Sequence, residues 1–347
     1  MSTEDSPSDG PGSGLPPPAD RQSLTSDPAP GVRAAAEHAA AEHPGRGEPV
    51  RLRTREHVHE MQATYRYLRL ALILLTLLLL FSVILQIVAD GGDVLPSVSA
   101  YYYTGARDVF VASLCAIGVC LIIHRGRSDT EDLLLNGAGY LSFFIAFVPT
   151  APARAGFEQA AGLSPGLSLE FLSEEFIASA TQNTWAILAA GLVGLVIEIV
   201  VLPQRERHGH SRGGTVVLVA SVVAFLALST TFVAAPGFFL TYAHGITAVL
   251  WFVCIVGIVG VNAIGMSRSR AEQGVNGRRR WMNLYGLGFV LILTTLPVFL
   301  GPVRMVLEQW VFALEVAVFL QFLAFWVTQT VERWYLPTRR ADALVPG

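Results

Sequence analysis

Eight uninterrupted apolar stretches, each long enough to cross a bilayer as a helix, lie between Tyr67 and Val331. A hydrocarbon core about 30 Å thick takes about 20 helical residues. The candidate spans are 67–89, 107–124, 132–150, 184–203, 214–234, 243–265, 282–300 and 305–331. Each is apolar around its whole circumference, and no alternation of period two competes with the helical pattern. Backbone polar groups in lipid must be satisfied within the chain, which leaves such a sequence a helix bundle and little else. The predicted class is therefore an all-α, polytopic transmembrane helical bundle of eight spans, occupying residues 67–334. Pro149, Pro203, Pro236 and the Gly301-Pro302 pair mark span ends. The last of these predicts a tight helical hairpin between spans seven and eight.

The chain has no lysine, so its 24 basic residues are all arginine. Segments 51–69, 125–131, 204–213, 266–281 and 332–347 hold 18 of them. The alternate gaps hold only Arg107, Arg154 and Arg304. Arginine is retained on the cytoplasmic side during insertion, so the pattern predicts both termini in the cytoplasm. An odd span count would break this alternation. The expected location is a bacterial plasma (inner) membrane, crossed many times. Trp185, Trp281, Trp310 and Trp334 stand at span ends, where interfacial anchoring is expected.

Residues 1–50 hold 9 of the 19 prolines and almost no large apolar side chains. Such a segment buries too little apolar surface to offset its ordering entropy, so a disordered cytoplasmic tail is predicted. Residues 51–66 read as a basic juxtamembrane helix running into the first span, and 335–347 as a cytoplasmic C-terminal tail. The net charge of −3 argues against a nucleic-acid partner. Cys115, Cys120 and Cys254 lie inside spans without CxxC or Cys/His spacing, so neither a disulfide framework nor a zinc site is expected. No cleavable signal peptide is expected, because the first apolar stretch begins late and is too long. No cofactor is expected either, since nothing matches a nucleotide loop, a nucleophile elbow or a haem motif.

The most distinctive segment is Pro96-Ser-Val-Ser-Ala-Tyr-Tyr-Tyr-Thr-Gly-Ala-Arg107-Asp108, the first outer gap. Arg107 is suited to a lipid phosphate or carboxylate, with tyrosine hydroxyls completing a polar cup. The plainer reading is an interfacial tyrosine belt with Arg107 and Asp108 at a helix start, where Asp108 suits the dipole. The run SVSAYYYTGARDVFVASLCAIGVCLIIHRG, followed by EDLLLNGAGYLSFFIAFVPT, resembles a family of bacterial multi-pass membrane proteins with no assigned reaction. At greater distance it resembles the DRAM/Sfk-type membrane proteins. The resemblance covers about residues 94–150 and implies a helical integral membrane protein.

A charged side chain at the bilayer centre costs about 2.5–3.5 kcal/mol even on the lenient insertion scale. In span eight, Arg304, Glu308 and Glu315 are spaced by 4 and 7, which puts all three on one helical face. Arg304 and Glu308 form a local ion pair in the simplest reading. Glu315 lies about 16 Å of helix rise from Arg304 and needs another partner or a proton. Glu198 is close enough to Pro203 to snorkel toward Arg205 or Arg207. His244 begins span six, where it is either a hydrated interfacial residue or joins Asp108 and Glu308 in an outer cluster suited to metal-dependent lipid hydrolysis. No HxxxH or HExxH motif supports the metal, and none is expected. Asn136, Asn262 and Gln321 are expected to hydrogen-bond between helices, and Gly191, Gly194, Gly257, Gly260 and Gly265 to allow close packing. In the long gap 151–183, Leu169, Leu172, Phe176 and Ile177 share one side of a predicted amphipathic surface helix.

The function expected is binding or transport of a small or lipidic ligand in an outward-facing polar pocket made by Arg107, Asp108, His244, Glu308 and Glu315. One alternative is a membrane-embedded lipid hydrolase using the same residues. The other is an interaction protein whose N-terminal tail recruits a cytoplasmic partner. The lipid bilayer is the one partner required by every reading.

Overall fold

In the computed structural model the backbone is described for residues 48–150, 174–201, 211–274 and 283–342, and side chains for 63–150, 177–200, 211–274 and 283–332. The chain divides into units Met1–His59 and Glu60–Gly347. Of the first unit only the opening turns of the first helix are described. Among the described residues there is no strand.

The helices are α1 (Glu48–Ala89), α2 (Arg107–Ile123), α3 (Asp129–Phe147), α4 (Glu174–Val196), α5 (Arg212–Ala234), α6 (Pro236–Glu272), α7 (Leu284–Val298) and α8 (Trp310–Asp342). A 3-10 turn, Val98–Tyr103, precedes α2. A π turn, Ile197–Val201, extends α4, and another, Phe299–Val303, extends α7 into Arg304–Val306. Their ends are set locally. α1 stops in a Schellman cap, with Gly92 N donating to Ile87 O (2.8 Å) and Gly91 N to Val88 O (3.2 Å). Gly91 takes the left-handed φ of 77° that this cap requires. Ser128, Ser211 and Asn283 cap α3, α5 and α7 by accepting from first-turn amides.

Among the described residues, six helices are long and apolar enough to cross a membrane: Ala63–Ala89, Ile177–Val200, Arg212–Ala234, Pro236–Glu272, Leu284–Val306 and Trp310–Glu332. α2 and α3 fall short for different reasons. α2 has 17 residues, about 25 Å of rise. α3 opens on Asp129, Glu131 and Asp132, which dilute its apolar content. α3 nevertheless meets α6 at both of its ends, and α2 packs along α3. At the end carrying the tyrosines, His244 of α6 meets Val148 after α3, and Glu315 of α8 meets Ser99. At the arginine-rich end, Asn262 of α6 meets Glu131 of α3, and Arg127 meets Glu332 of α8. α4 lies antiparallel to α3, with Asn136 bonded to Glu198 and Tyr140 to Ile187.

α3 is the most enclosed helix, packed by α2, α4, α5 and α6. Where it crosses α2, a Cβ on Gly139 would stand 2.6 Å from Gly118 O, and one on Gly118 2.7 Å from Gly139 O. A Cβ on Gly191 would likewise meet the Tyr140 hydroxyl at 2.2 Å. An aromatic layer of Trp251, Phe319, Phe322 and Trp326 fills the interior between α6 and α8.

Several expected boundaries move. The juxtamembrane helix begins at Glu48, inside the segment assigned to the tail, and α8 runs to Asp342, through most of the expected C-terminal tail. Span four begins near Ile177 and span six reaches from Pro236 to Glu272. Residues 1–47, 151–173, 202–210, 275–282 and 343–347 lie outside the described residues, and with them most of the expected disordered tail and surface helix. The expected hairpin at Gly301-Pro302 is absent from that position. The π turn carries Pro302 inside the helix, where Arg304 N reaches back to Phe299 O. This wider register absorbs the proline that an α turn would exclude. The chain reverses at Leu307, whose φ and ψ are −111° and 120°, before α8 starts at Trp310.

Candidate functional site

The Ser-Tyr segment forms neither a solvated loop nor a simple surface belt. Ser97 caps the 3-10 turn, accepting from Ala100 N at 3.0 Å, and Thr104 Oγ1 closes it by donating to Tyr101 O at 2.8 Å. Val98, Ser99, Ala100, Tyr101 and Tyr102 are all buried. The turn is anchored on three sides. Phe312 N donates to Pro96 O (3.0 Å), the Tyr103 hydroxyl donates to Thr150 O (2.7 Å), and Leu95 N donates to the Tyr101 hydroxyl (3.2 Å). Burial pushes the Tyr101 and Tyr103 phenols above their ordinary value, and for Tyr103 the neighbouring Tyr102 adds to the effect while Arg107 opposes it.

Glu315 supplies the fourth anchor. Its Oε2 accepts from Ser99 N at 3.1 Å, and Ser99 Oγ lies 3.5 Å from Oε1. The partner that this intramembrane carboxylate needed is a backbone amide of the folded-in turn, not a basic side chain. Arg107 donates through Nη2 to the Tyr102 hydroxyl (3.0 Å), with its guanidinium carbon 4.7 Å from the Tyr102 ring centroid. Asp108 is exposed in the first turn of α2.

His244 is buried, with 4% of its surface exposed. Its Nδ1 lies 2.7 Å from Val148 O. A carbonyl only accepts, so Nδ1 carries the proton and Nε2 presents a lone pair in the neutral ring. Nε2 is buried without a hydrogen-bond partner.

Two expectations about these residues are corrected. Arg304, Glu308 and Glu315 do not share a helical face, because the break at Leu307 puts Arg304 on the extension of α7 and Glu308 in the following turn. Arg304 and Glu308 are both exposed, and among the described residues they form no ion pair. Nor do Asp108, His244 and Glu308 converge. Two are exposed on separate elements and one is buried, and no group of three or more His, Cys, Asp or Glu side chains gathers among the described residues. A cleft of about 320 Å³ between α1 and the start of α2, lined by Phe81, Leu85, Gln86, Gly105 and Ala106, includes none of the five residues.

The expected interhelical amides appear, and they lead to a second polar cluster that sequence reasoning missed. Asn136 donates to Glu198 (3.2 Å), and Gln321 donates to Thr295 (2.6 Å). Arg205 and Arg207, the partners expected for Glu198, lie outside the described residues. Asn262 donates to Glu131 Oε1 (2.6 Å) and accepts from Gln329 (3.4 Å). Glu131, 2% exposed, also accepts from Arg127 N (2.7 Å). Nearby, Glu332 takes both Arg127 and the Tyr285 hydroxyl. One signal for this cluster stands in the sequence: Ser128-Asp-Thr-Glu131 is a capping-box spacing.

No protein-family model, no curated protein and no solved structure matches the chain.

Proposed function

We propose that the chain is an eight-span protein of a bacterial plasma membrane, with both termini on the arginine-rich, cytoplasmic side, that binds or transports a small or lipidic ligand at its outward-facing tyrosine end. The eight-span reading is supported by α3 meeting α6 at both of its ends, through Glu131 with Asn262 and Val148 with His244, and by α2 packing along α3. The orientation is supported by the arginine distribution.

The observation that carries the ligand reading is the Glu315 carboxylate, set inside a membrane-crossing helix and held by the folded-in Ser99 amide. Ionisable groups kept at that depth mark ligand or ion sites by default. Arg107 and His244 stand at the same end, with Asp108 and Glu308 on its exposed rim. The hydrolase alternative needs a convergence of Asp108, His244 and Glu308 that the geometry does not supply, and the recruiting tail lies outside the described residues.

The test is to extract the protein with its surrounding lipid into polymer discs and identify bound species by mass spectrometry. A species enriched over the bulk membrane, and lost from Glu315→Gln and Arg107→Gln proteins that remain monodisperse, is the expected result. Bound material matching the bulk membrane composition for wild type overturns the reading.

A further inference from the structure

The His244 ring is fixed in one orientation and one tautomer. Nδ1–H is committed to Val148 O, the residue that closes α3, so in the neutral ring Nε2 is an acceptor only. Leaving such an acceptor buried and unmet is unfavourable, and most buried polar groups in folded proteins have a hydrogen-bond partner. Thr247, one turn along α6, does not serve it, because its hydroxyl donates to the Ala243 and His244 carbonyls.

Register places His244 level with Glu315. Two turns further along α6, Trp251 lies against Phe319 and Phe322 of α8, with ring centroids 6.3 and 5.5 Å away. Stepping back two turns on each helix, about 10 Å of rise, leads from Trp251 to His244 and from Phe322 to Glu315. The Ser99 turn, bonded to Glu315, occupies the same level. At this level the Glu315 carboxylate and the carbonyls of Pro96, Val148 and Thr150 already accept from Ser99, Phe312 N, His244 Nδ1 and the Tyr103 hydroxyl, whereas the buried His244 Nε2 lone pair is met by no protein donor. The cation at this end, Arg107, has its guanidinium on Tyr102.

We propose that His244 Nε2 is a ligand contact, and that the ligand it takes carries a hydrogen-bond-donating head, a hydroxyl or an ammonium, in place of an acceptor-only anion such as a carboxylate. The proposal rests on the outward-facing ligand site argued above and names its chemistry. Arg107 is then a wall of that site, and the acceptors His244 and Glu315 select the head group.

The experiment uses the full chain in lipid discs with ¹⁵N-labelled histidine, and follows the His244 Nε2 resonance as probes are added. The resonance is assigned by its absence from His244→Asn. Glycerol offers hydroxyls alone, methylamine an ammonium alone, and acetate only acceptors. The expected result is a saturable movement with glycerol or methylamine and none with acetate; which of the two acts decides between a polyol and an amine head. His244→Asn, which keeps a donor for Val148, is expected to remain folded and to weaken any thermal stabilisation by the active probe about tenfold or more in apparent affinity. Movement with acetate alone, or no movement with any probe, overturns the proposal. The wild-type measurement decides even if the variant fails to fold. An enriched species found by mass spectrometry beside a silent His244 would leave the ligand reading standing and remove this one.

Discussion

Glu131 and Glu315 show what a carboxylate must find before a bundle can enclose it. Glu131 is enclosed because Asn262 and the Arg127 amide donate to it, and because Gln329 completes the Asn262 amide. Glu131→Ala would remove the interhelical acceptor of the buried Asn262 amide, at about 1–3 kcal/mol for a donor so left. A clear loss of thermal stability is therefore expected by detergent-solubilised melting, with Glu131→Gln, which retains a side-chain acceptor, losing less. Equal losses would mean that the hydrogen bonds contribute nothing beyond volume. The tyrosines give a pH dependence. Burial raises the Tyr101 and Tyr103 phenols, so the folded state holds their protons above the ordinary value of about 10. In that range the fold binds more protons than the unfolded chain, so the tyrosines' contribution to stability is constant below about pH 10 and is lost as pH rises beyond it. Replacing both by phenylalanine should flatten that alkaline loss, read by melting from pH 9 to 11. At this scale the sequence was legible where a residue was anomalous for its surroundings, as Glu315 is in an apolar run. It was illegible where the partner was a backbone group. Nothing in the string announces that Ser99 N serves Glu315, or that Val148 O fixes the His244 tautomer.

Among the elements, α3 holds the bundle together although it is one of its least apolar helices. Its enclosure by four neighbours explains the contrast, since a helix shielded from lipid tolerates Asn136, Ser142 and an acidic first turn that a peripheral helix would not. Its crossing with α2 depends on Gly118 and Gly139, each facing the other's backbone oxygen, which cannot rotate away as a side chain can. Gly139→Leu is expected to destabilise by about 1–3 kcal/mol or more, the range for overpacking a close contact. Gly194→Leu, with nothing within 4 Å of its Cβ position, is the matched control and should change the melting temperature little. The existence and order of α1 to α8 were readable from apolar runs, but the 3-10 turn before α2 was not. Their ends were not, because a hydropathy pattern does not distinguish a proline that stops a helix from one that a π turn absorbs. Pro302 belongs to the second kind.

For the whole molecule, the open quantity is how many times the chain crosses, and α2 and α3 decide it. If these two do not cross, the remaining six keep their alternation, so arginine counts over the other gaps do not separate six from eight. The discriminating position is the α2–α3 turn. In the eight-span arrangement it lies with the arginine-rich ends of α6 and α8, to which Glu131 and Arg127 are bonded. In a cysteine-free background lacking Cys115, Cys120 and Cys254, single cysteines are placed at the exposed positions Asp93, Arg125, Gln273 and Glu308. With an impermeant maleimide on intact cells, Asp93→Cys and Glu308→Cys should label, while Arg125→Cys and Gln273→Cys should label only after permeabilisation. Labelling of Arg125→Cys from outside with Gln273→Cys still protected would reduce the count to six. Protection of Asp93→Cys and Glu308→Cys would invert the orientation and place the tyrosine end, with Glu315 and His244, in the cytoplasmic half. The bonds from Glu131 to Asn262 and from Arg127 to Glu332 make the first outcome costly, since a turn on the outer side would leave all four groups without these partners.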